Sequence, residues 1–159
     1  MERQYTRIDR VRNLLDDALK AIPDEEVKRC AYVHLYGVGL AAALLAMKRG
    51  FDRTLAELAE IAGMIHDYTK YVCNEDENHA HSSAQYAKTL LEKSDVFSAE
   101  EIDLIYRAIY YHSDKKEIHT PFDEVLKDAD AFQHALRNPT EDYFFQKSRF
   151  QAVQKELGF

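Results

Sequence analysis

Three histidines occupy positions at which the surrounding helical pattern calls for an apolar side chain. They are His34, His66 and His112, each on the apolar stripe of a different segment, and Asp67 directly follows His66. A buried imidazole needs partners for both ring nitrogens. Three imidazoles and a carboxylate satisfy one another when they converge on a metal cation. The pattern therefore predicts a metal site between helices; the alternative is that His66 and Asp67 cap a helix end in solvent.

Two further carboxylates stand in an apolar setting later in the chain. Asp128 and Asp130 belong to the segment KDADAF, residues 127–132. A buried aspartate is costly unless it is paired or coordinated, whereas a solvated helix face is its ordinary setting. We expect one of the two to join the metal site and leave open which one. Asp128, if it is not the ligand, would orient a histidine or accept a proton. His119 and His134 are assigned ordinary structural roles.

Composition favours an acidic, soluble protein of one domain. The 159 residues are 46% hydrophobic and 31% charged, with a net charge of −7. This length suits a single domain over residues 1–159, and the basic residues form no stripe for a nucleic-acid polymer. The N-terminus MERQYTRIDR lacks an apolar signal segment, and the longest apolar run, VGLAAALLAM, is too short to span a bilayer. With only Cys30 and Cys73, we expect ordinary thiols in the cytoplasm and no membrane partner.

A hydrophobic period of 3.6 residues runs through nearly every segment, and only five Gly and three Pro interrupt it. No segment shows the alternation expected of a strand. The expected helices are residues 8–22 before Pro23, 24–50 capped by Asp24, 54–66 begun by a capping box at Thr54, 82–93, 98–112 begun by a capping box at Ser98, 120–136 begun by Thr120-Pro121, and 138–157 begun by Asn138-Pro139. The sequence thus predicts an all-α fold, a single-domain helical bundle of about six to seven helices.

The order of these residues resembles the HD superfamily of metal-dependent phosphohydrolases, over roughly residues 27–137. The resemblance rests on an upstream histidine, the AGMIHDYTK stretch that closes a helix, and a late Ala-Asp pair. It implies an all-α fold with one ion held by His34, His66, Asp67 and Asp130, and a second ion held by His79 and His112 with Asp67 as the bridge. The stretch from residue 29 to residue 70 is most similar to the bacterial branch that hydrolyses diadenosine tetraphosphate symmetrically and uses a di-iron centre.

The chain also departs from the family pattern. Ala31 stands three residues before the first histidine, where relatives often carry a basic residue, and Arg29 could take that role. Gln133 follows Asp130 where many relatives have a second aspartate. The stretch SDKKEIHTPFDE, residues 113–124, differs from the usual continuation in the diadenosine branch. These departures concern the substrate more than the metal ligands.

A phosphohydrolase acting on a nucleotide or dinucleotide is the function that the residues and the resemblance favour. A metal-activated water would cleave a phosphate ester or anhydride, and Asp67 would hold the metal and steer that water. Lys70, one turn after the His-Asp pair, would bind a phosphate oxygen, or is a solvated lysine at a helix end. Arg29 is a second substrate-binding candidate, and Lys115 and Lys116 are weaker ones.

The mixed histidine and aspartate set suits one or two divalent ions of Fe, Mn, Ni, Co or Zn. The expected partner is a small phosphorylated substrate, and a homodimer is left open.

Two other functions are alternatives to a phosphohydrolase. One is a nucleotide-sensing or regulatory domain that keeps the fold and the metal with little catalysis, and the other is a purely structural α-bundle.

Overall fold

Helices form the regular structure of the computed structural model, which describes residues 5–140 and 146–159. Seven of them have 11 residues or more, and α4 has 5. They are α1 Arg7–Lys20, α2 Glu25–Lys48, α3 Arg53–Ile65, α4 Tyr68–Val72, α5 His79–Ser94, α6 Ala99–Tyr111, α7 Pro121–Arg137 and α8 Lys147–Leu157. The described residues contain no β-strand. The prediction of an all-α bundle of six to seven helices is therefore confirmed, with α4 as an additional short turn of helix.

Side-chain caps begin most of the helices where the sequence predicts them. Ser98 and Thr120 each accept a hydrogen bond from the backbone N–H three residues later, within a capping box. The predicted capping box at Thr54 is wrong, because Asp52 caps α3 and the helix begins at Arg53. Aspartate is a better N-cap residue than threonine, so the earlier position is the favoured start.

Two other predicted boundaries are corrected. Helix α5 begins at His79, three residues before the expected start. The predicted helix start at Asn138-Pro139 is wrong, because Asn138 is the C-cap of α7 and α8 begins only at Lys147. Residues 141–145, which the predicted helix included, lie outside the described residues. An Asn-Pro pair can follow a helix as well as open one, because proline disfavours helical backbone at the residue before it.

Helices α2 and α3 meet through glycines. A Cβ atom on Gly63 would lie 2.6 Å from the Cα atom of Gly39, and one on Gly39 would lie 3.0 Å from the backbone oxygen of Glu60. The absence of both side chains therefore allows the two backbones to approach closely. Because His34 lies five residues before Gly39 on α2, this approach brings its imidazole to the C-terminal end of α3.

One described helix, α2, is long and apolar enough to span a membrane by length and composition alone, with a mean hydropathy of 1.7 in its most apolar window. The core helix of a soluble protein has the same character. Eight residues of α2 are buried inside the protein, and Leu35, Val38 and Ala42 belong to its hydrophobic core. The composition of α2 is thus weak evidence for a membrane.

An ion-pair network joins α7 to α8 and to the end of α2. In α8, Arg149 lies 2.8 Å from Glu124 and 2.7 Å from Asp128, both in α7. Asp128 also pairs with Arg49 at 2.7 Å, and Arg49 pairs in turn with Glu156 of α8 at 2.9 Å. The five side chains are half-buried, so solvent screens their interactions less than on an open surface. The network therefore ties the C-terminal helix to the bundle.

We expect Gly63→Ala to destabilise the protein. The added methyl group would meet backbone atoms of α2 and force the two helices apart, at a cost of about 1–3 kcal/mol in the free energy of unfolding. Urea denaturation followed by circular dichroism measures this loss. Gly37→Ala is the control, because the three atoms nearest to its methyl group belong to a side chain, that of Gln133, and not to a helix backbone. Equal stability of the Gly63→Ala variant and the wild type would contradict the close approach.

Glu124 should make the stability of the protein sensitive to acid. Burial raises the pKa of its carboxyl group, but hydrogen bonds from Lys127, the His119 backbone N–H and Arg149 outweigh burial and lower it from 4.5 to about 2. As the pH falls, Glu124 therefore takes up a proton in the unfolded chain at a higher pH than in the folded chain. The stabilisation from Glu124 is complete above about pH 4.5 and is lost as the pH falls towards 2.

The measurement is the free energy of unfolding of the wild type and of Glu124→Gln between pH 7 and pH 2.5. The variant should be less stable at pH 7 and should decline less steeply below about pH 4.5. Parallel declines for the two proteins would show that Glu124 does not carry this acid sensitivity.

Candidate metal centre

Four buried side chains from different parts of the bundle meet at the end of α3. His34 lies within α2, His66 is the C-cap of α3, Asp67 is the N-cap of α4, and Asp130 lies in α7. They are between 0% and 5% exposed. The helix ends between His66 and Asp67, and the turn lets both side chains reach one point. Successive residues of a continuous helix would point about 100° apart.

The donor atoms of these residues surround a common point. The Nε2 atom of His34 lies 3.2 Å from Nε2 of His66, 3.5 Å from Oδ2 of Asp67 and 3.4 Å from Oδ1 of Asp130. The Nε2 atom of His66 lies 3.6 Å from each of the same two carboxylate oxygens. Ligands about 2.1 Å from one ion in a tetrahedral arrangement are about 3.4 Å apart. The spacing therefore fits a single transition-metal ion.

Hydrogen bonds at Nδ1 orient the imidazoles. His66 donates to the Gly63 carbonyl oxygen and His112 to the Ile109 carbonyl oxygen, each over 2.7 Å. His34 donates to the side-chain oxygen of Gln133, also over 2.7 Å. Because these oxygens only accept hydrogen bonds, each neutral imidazole carries its proton at Nδ1 and presents the lone pair of Nε2 to a metal.

A second cluster lies on the other side of Asp67. Its Oδ1 atom is 3.3 Å from Nε2 of His79 and 3.2 Å from Nε2 of His112. His79 donates from Nδ1 to the Asp76 carbonyl oxygen over 2.6 Å, so its Nε2 lone pair is available as well. The two oxygens of Asp67 thus face two different pairs of imidazoles, which is the arrangement of a carboxylate that bridges two ions.

Two carboxylate oxygens without hydrogen-bond donors indicate whether a cation fits between the side chains. Oδ1 of Asp67 and Oδ1 of Asp130 are buried and make no hydrogen bond. A buried anionic oxygen without a donor is costly, and each of these oxygens points at imidazole nitrogens that carry lone pairs. A divalent cation between them satisfies the oxygens and the nitrogens at once. The donor set therefore fits a metal ion at both clusters.

Charge interactions perturb the titration of the whole cluster. Burial would raise the pKa of Asp67, but electrostatic attraction to the neighbouring imidazoles, above all that of His66, holds it well below 3.8. Burial would likewise raise the pKa of Asp130, but Lys115 and His66 lower it strongly. Burial lowers the pKa of His112 from 6.5. Ionised aspartates and a neutral His112 are the protonation states that metal binding requires.

The comparison with known protein families agrees with this geometry. The family model described as HD domain matches residues 31–135, well over half of the chain. The chain belongs to the HD domain family. Members of this family are generally metal-dependent hydrolases that bind divalent metals. No curated protein and no solved structure gives a significant match.

Four candidate ligands of the HD domain line a pocket of about 560 Å³, namely Asp67, His79, His112 and Asp130, whereas His34 and His66 are fully buried. Lys70, Lys115 and Lys116 supply its positive charge. The Nζ atom of Lys115 lies 2.5 Å from Oδ2 of Asp130, which leaves Oδ1 for the imidazoles. The Nζ atom of Lys70 is 3.7 Å from Oδ2 of Asp67, and its side chain is 34% exposed. The pocket therefore combines metal-binding groups at its base with ammonium groups around them.

Two predicted site residues lie away from this pocket in the HD domain. Asp128 faces Arg49 and Arg149 instead of the histidines, so its predicted roles as ligand or proton acceptor are corrected by the packing of α7. Of the two late aspartates, only Asp130 reaches the clusters. Arg29 is exposed, with its guanidinium 3.6 Å from Glu26, and does not line the pocket.

The sequence interpretation missed His134. Its Nε2 atom lies 3.4 Å from Oδ1 of Asp130, and its ring centroid lies 4.6 Å from that of His34. Burial and the nearby His34 outweigh the charge of Asp130 and lower the pKa of His134 to about 4. The signal was present in the sequence, because residues four apart on a helix share a face and His134 follows Asp130 by four. Lys115, treated as a weak candidate, is also closer to the ligands than expected.

We expect Gln133 to support metal binding by holding His34. Its amide oxygen accepts from His34 Nδ1, and its amide nitrogen donates to the Val33 carbonyl oxygen over 3.3 Å. Gln133→Leu should weaken zinc or manganese affinity about 10–100-fold, the range seen when a partner of a metal-bound histidine is removed. Competition with a chelating dye measures the affinity.

Two further variants control this experiment. Gln133→Glu should keep most of the affinity, because a carboxylate oxygen still accepts the hydrogen bond. Gln85→Leu changes an exposed glutamine elsewhere and should leave the affinity unchanged. Wild-type affinity in Gln133→Leu would rule out this role for Gln133.

Proposed function

We propose that this HD domain is a metal-dependent phosphohydrolase that cleaves a phosphate ester or anhydride of a nucleotide or dinucleotide. The observation that carries the proposal is the position of Asp67, whose two oxygens lie within 3.6 Å of imidazole nitrogens on both sides. Hydrolysis by metal-activated water often uses two ions about 3.5–4 Å apart. A carboxylate shared between two nitrogen-rich clusters suits such a pair, and family membership supports the hydrolase class.

Six residues hold the ions in this proposal. His34, His66, Asp67 and Asp130 would hold the first ion, and Asp67, His79 and His112 would hold the second. A divalent ion in this position supplies an acidified water and polarises phosphoryl oxygens. The mixture of imidazole and carboxylate groups, without a thiolate, favours Fe, Mn, Ni, Co or Zn over Mg or Ca.

Lys70 and Lys116 are the substrate-binding residues of the proposal. Both line the pocket, and the exposed ammonium group of Lys70 can serve a phosphate oxygen as a point charge. Lys115 has a different task, because its ammonium group already binds Oδ2 of Asp130 and keeps that carboxylate ionised and oriented. A pocket of about 560 Å³ falls within the range of small-molecule sites.

The test is an activity screen of the purified protein loaded with each of the five metals. The substrates are p-nitrophenyl phosphate, nucleoside mono-, di- and triphosphates, and diadenosine tetraphosphate, the substrate class of the branch that the sequence resembles. We expect turnover of at least one compound and a loss of kcat/KM of more than about 100-fold in Asp67→Ala, because even the partners of metal ligands are worth 10–100-fold. Asp103→Ala, on an exposed part of α6, is the matched control.

The other outcomes of the screen select the other functions. Tight nucleotide binding by the metal-loaded protein without turnover would select a sensing or regulatory domain. Elemental analysis without any transition metal, after reconstitution with all five, would remove the metal-dependent proposal altogether. Equal activity of Asp67→Ala and Asp103→Ala would show that hydrolysis occurs elsewhere or in a contaminant.

A further inference from the structure

Residues 113–119, which we call the pocket loop, connect α6 to α7 and form one wall of the pocket. Ser113 through Glu117 line it, and this stretch belongs to the segment that differs from the usual continuation in the diadenosine branch. Short backbone hydrogen bonds turn the loop, from Asp114 N to the Tyr111 carbonyl oxygen over 3.0 Å and from Lys115 N to the Ser113 carbonyl oxygen over 2.8 Å. These local bonds shape the loop but do not attach it to the bundle.

Arg149 of α8 attaches the pocket loop to the bundle through hydrogen bonds to the loop's backbone carbonyl groups. Its Nε atom donates to the Lys115 carbonyl oxygen over 2.8 Å, and its Nη2 atom donates to the Glu117 carbonyl oxygen over 3.3 Å. Its Nη1 atom donates to carboxylates of α7, at Glu124 over 2.8 Å and Asp128 over 2.7 Å. One guanidinium group therefore joins the loop, α7 and α8, which the fixed fork of an arginine can do and a lysine cannot.

Lys127 provides a second attachment at the same carbonyl group. Its side chain is fully buried, and its Nζ atom donates to the Glu117 carbonyl oxygen over 2.9 Å, to His119 Nδ1 over 2.6 Å and to Glu124 over 2.8 Å. Glu124 therefore accepts hydrogen bonds from both Arg149 and Lys127, the two cationic side chains that hold the loop. The wall of the pocket is anchored to charged groups whose own positions are determined by α7 and α8.

Anchoring of the pocket loop affects Lys116, the substrate-binding lysine that this loop carries. Arg149 holds the backbone of Lys115, whose Nζ atom binds Oδ2 of Asp130 and the Lys127 carbonyl oxygen, and Lys116 follows directly. We propose that Arg149 is a positioning residue that fixes the loop backbone at Lys115, and with it the adjoining Lys116 in the pocket wall, and thereby sets the affinity for the phosphorylated substrate, an inference that rests on the proposed function. Arg149 lies outside the residues that match the family model, 31–135.

The expected result for Arg149→Met is a KM raised about tenfold or more, with kcat and metal content nearly unchanged, because an ordered loop binds its ligand without the entropic cost of ordering it. Arg149→Lys keeps the charge but loses the fork and should give an intermediate KM. A variant with a merely loosened fold would lose activity in proportion to its folded fraction and keep its KM.

Arg49→Met is the matched control. Arg49 pairs with Asp128 and Glu156, so it belongs to the same ion-pair network and also ties α8 to the bundle. Within the described residues, its guanidinium hydrogen bonds go to these two carboxylates and not to the pocket loop. Its replacement should lower the melting temperature to a similar degree and leave KM unchanged. An equal rise of KM in both variants would assign the effect to general loosening of α8 and overturn the proposal.

Two measurements on the manganese-loaded protein do not depend on turnover. Amide hydrogen exchange at residues 113–117 should be faster in Arg149→Met than in the wild type and in Arg49→Met, and pyrophosphate binding by calorimetry should weaken about tenfold in Arg149→Met alone. Unchanged exchange would overturn the anchoring, and faster exchange with unchanged pyrophosphate affinity and KM would overturn the effect on affinity. A wild type that binds pyrophosphate but cleaves none of the tested compounds would refute hydrolysis and leave this inference to be decided by exchange and binding.

Discussion

A buried carboxylate is the constraint on which the rest of this structure depends. Asp67 is 3% exposed, with His34 and His66 beside one oxygen and His79 and His112 beside the other. An anion removed from water must be compensated by partners, or its desolvation exceeds the gain from packing around it. Each partner comes from a different helical segment. The convergence of α2, α5 and α6 on the end of α3 is therefore the arrangement that makes burial of Asp67 tolerable.

Contacts with the local backbone orient three of the imidazoles within their own segments of the chain. His66, His79 and His112 each donate from Nδ1 to the carbonyl oxygen three residues earlier. His66 and His112 do so as C-caps, where the last carbonyl groups of a helix lack partners within it. Gly63 contributes twice, because its carbonyl oxygen accepts from His66 and its missing side chain admits α2. Close packing and ligand orientation thus depend on the same turn of helix.

Periodicity in the sequence predicts most of the helices and several of the candidate metal ligands. His34, His66 and His112 are recognisable because each interrupts an apolar stripe, and the resulting helix count agrees with the structure. Asp128 and Asp130 cannot be separated in this way. They lie about 200° apart on the helix, both have apolar neighbours, and only the docking of α7 decides which one faces the histidines. His79 has no apolar stripe at all, and only the family resemblance identified it.

The pocket loop lies beyond the reach of sequence periodicity for a physical reason. Lys115 has the pattern of an exposed charge, yet its backbone is held by Arg149, which is 34 residues away in the chain. Contacts of this kind exist only after α7 and α8 have packed, whereas His66, His79 and His112 are oriented by carbonyl groups three residues away. The two ends of the candidate site are therefore sensitive to different changes. Loosening α8 disturbs the wall that faces the substrate, whereas the carbonyl groups that orient His66, His79 and His112 lie within the segments of those histidines.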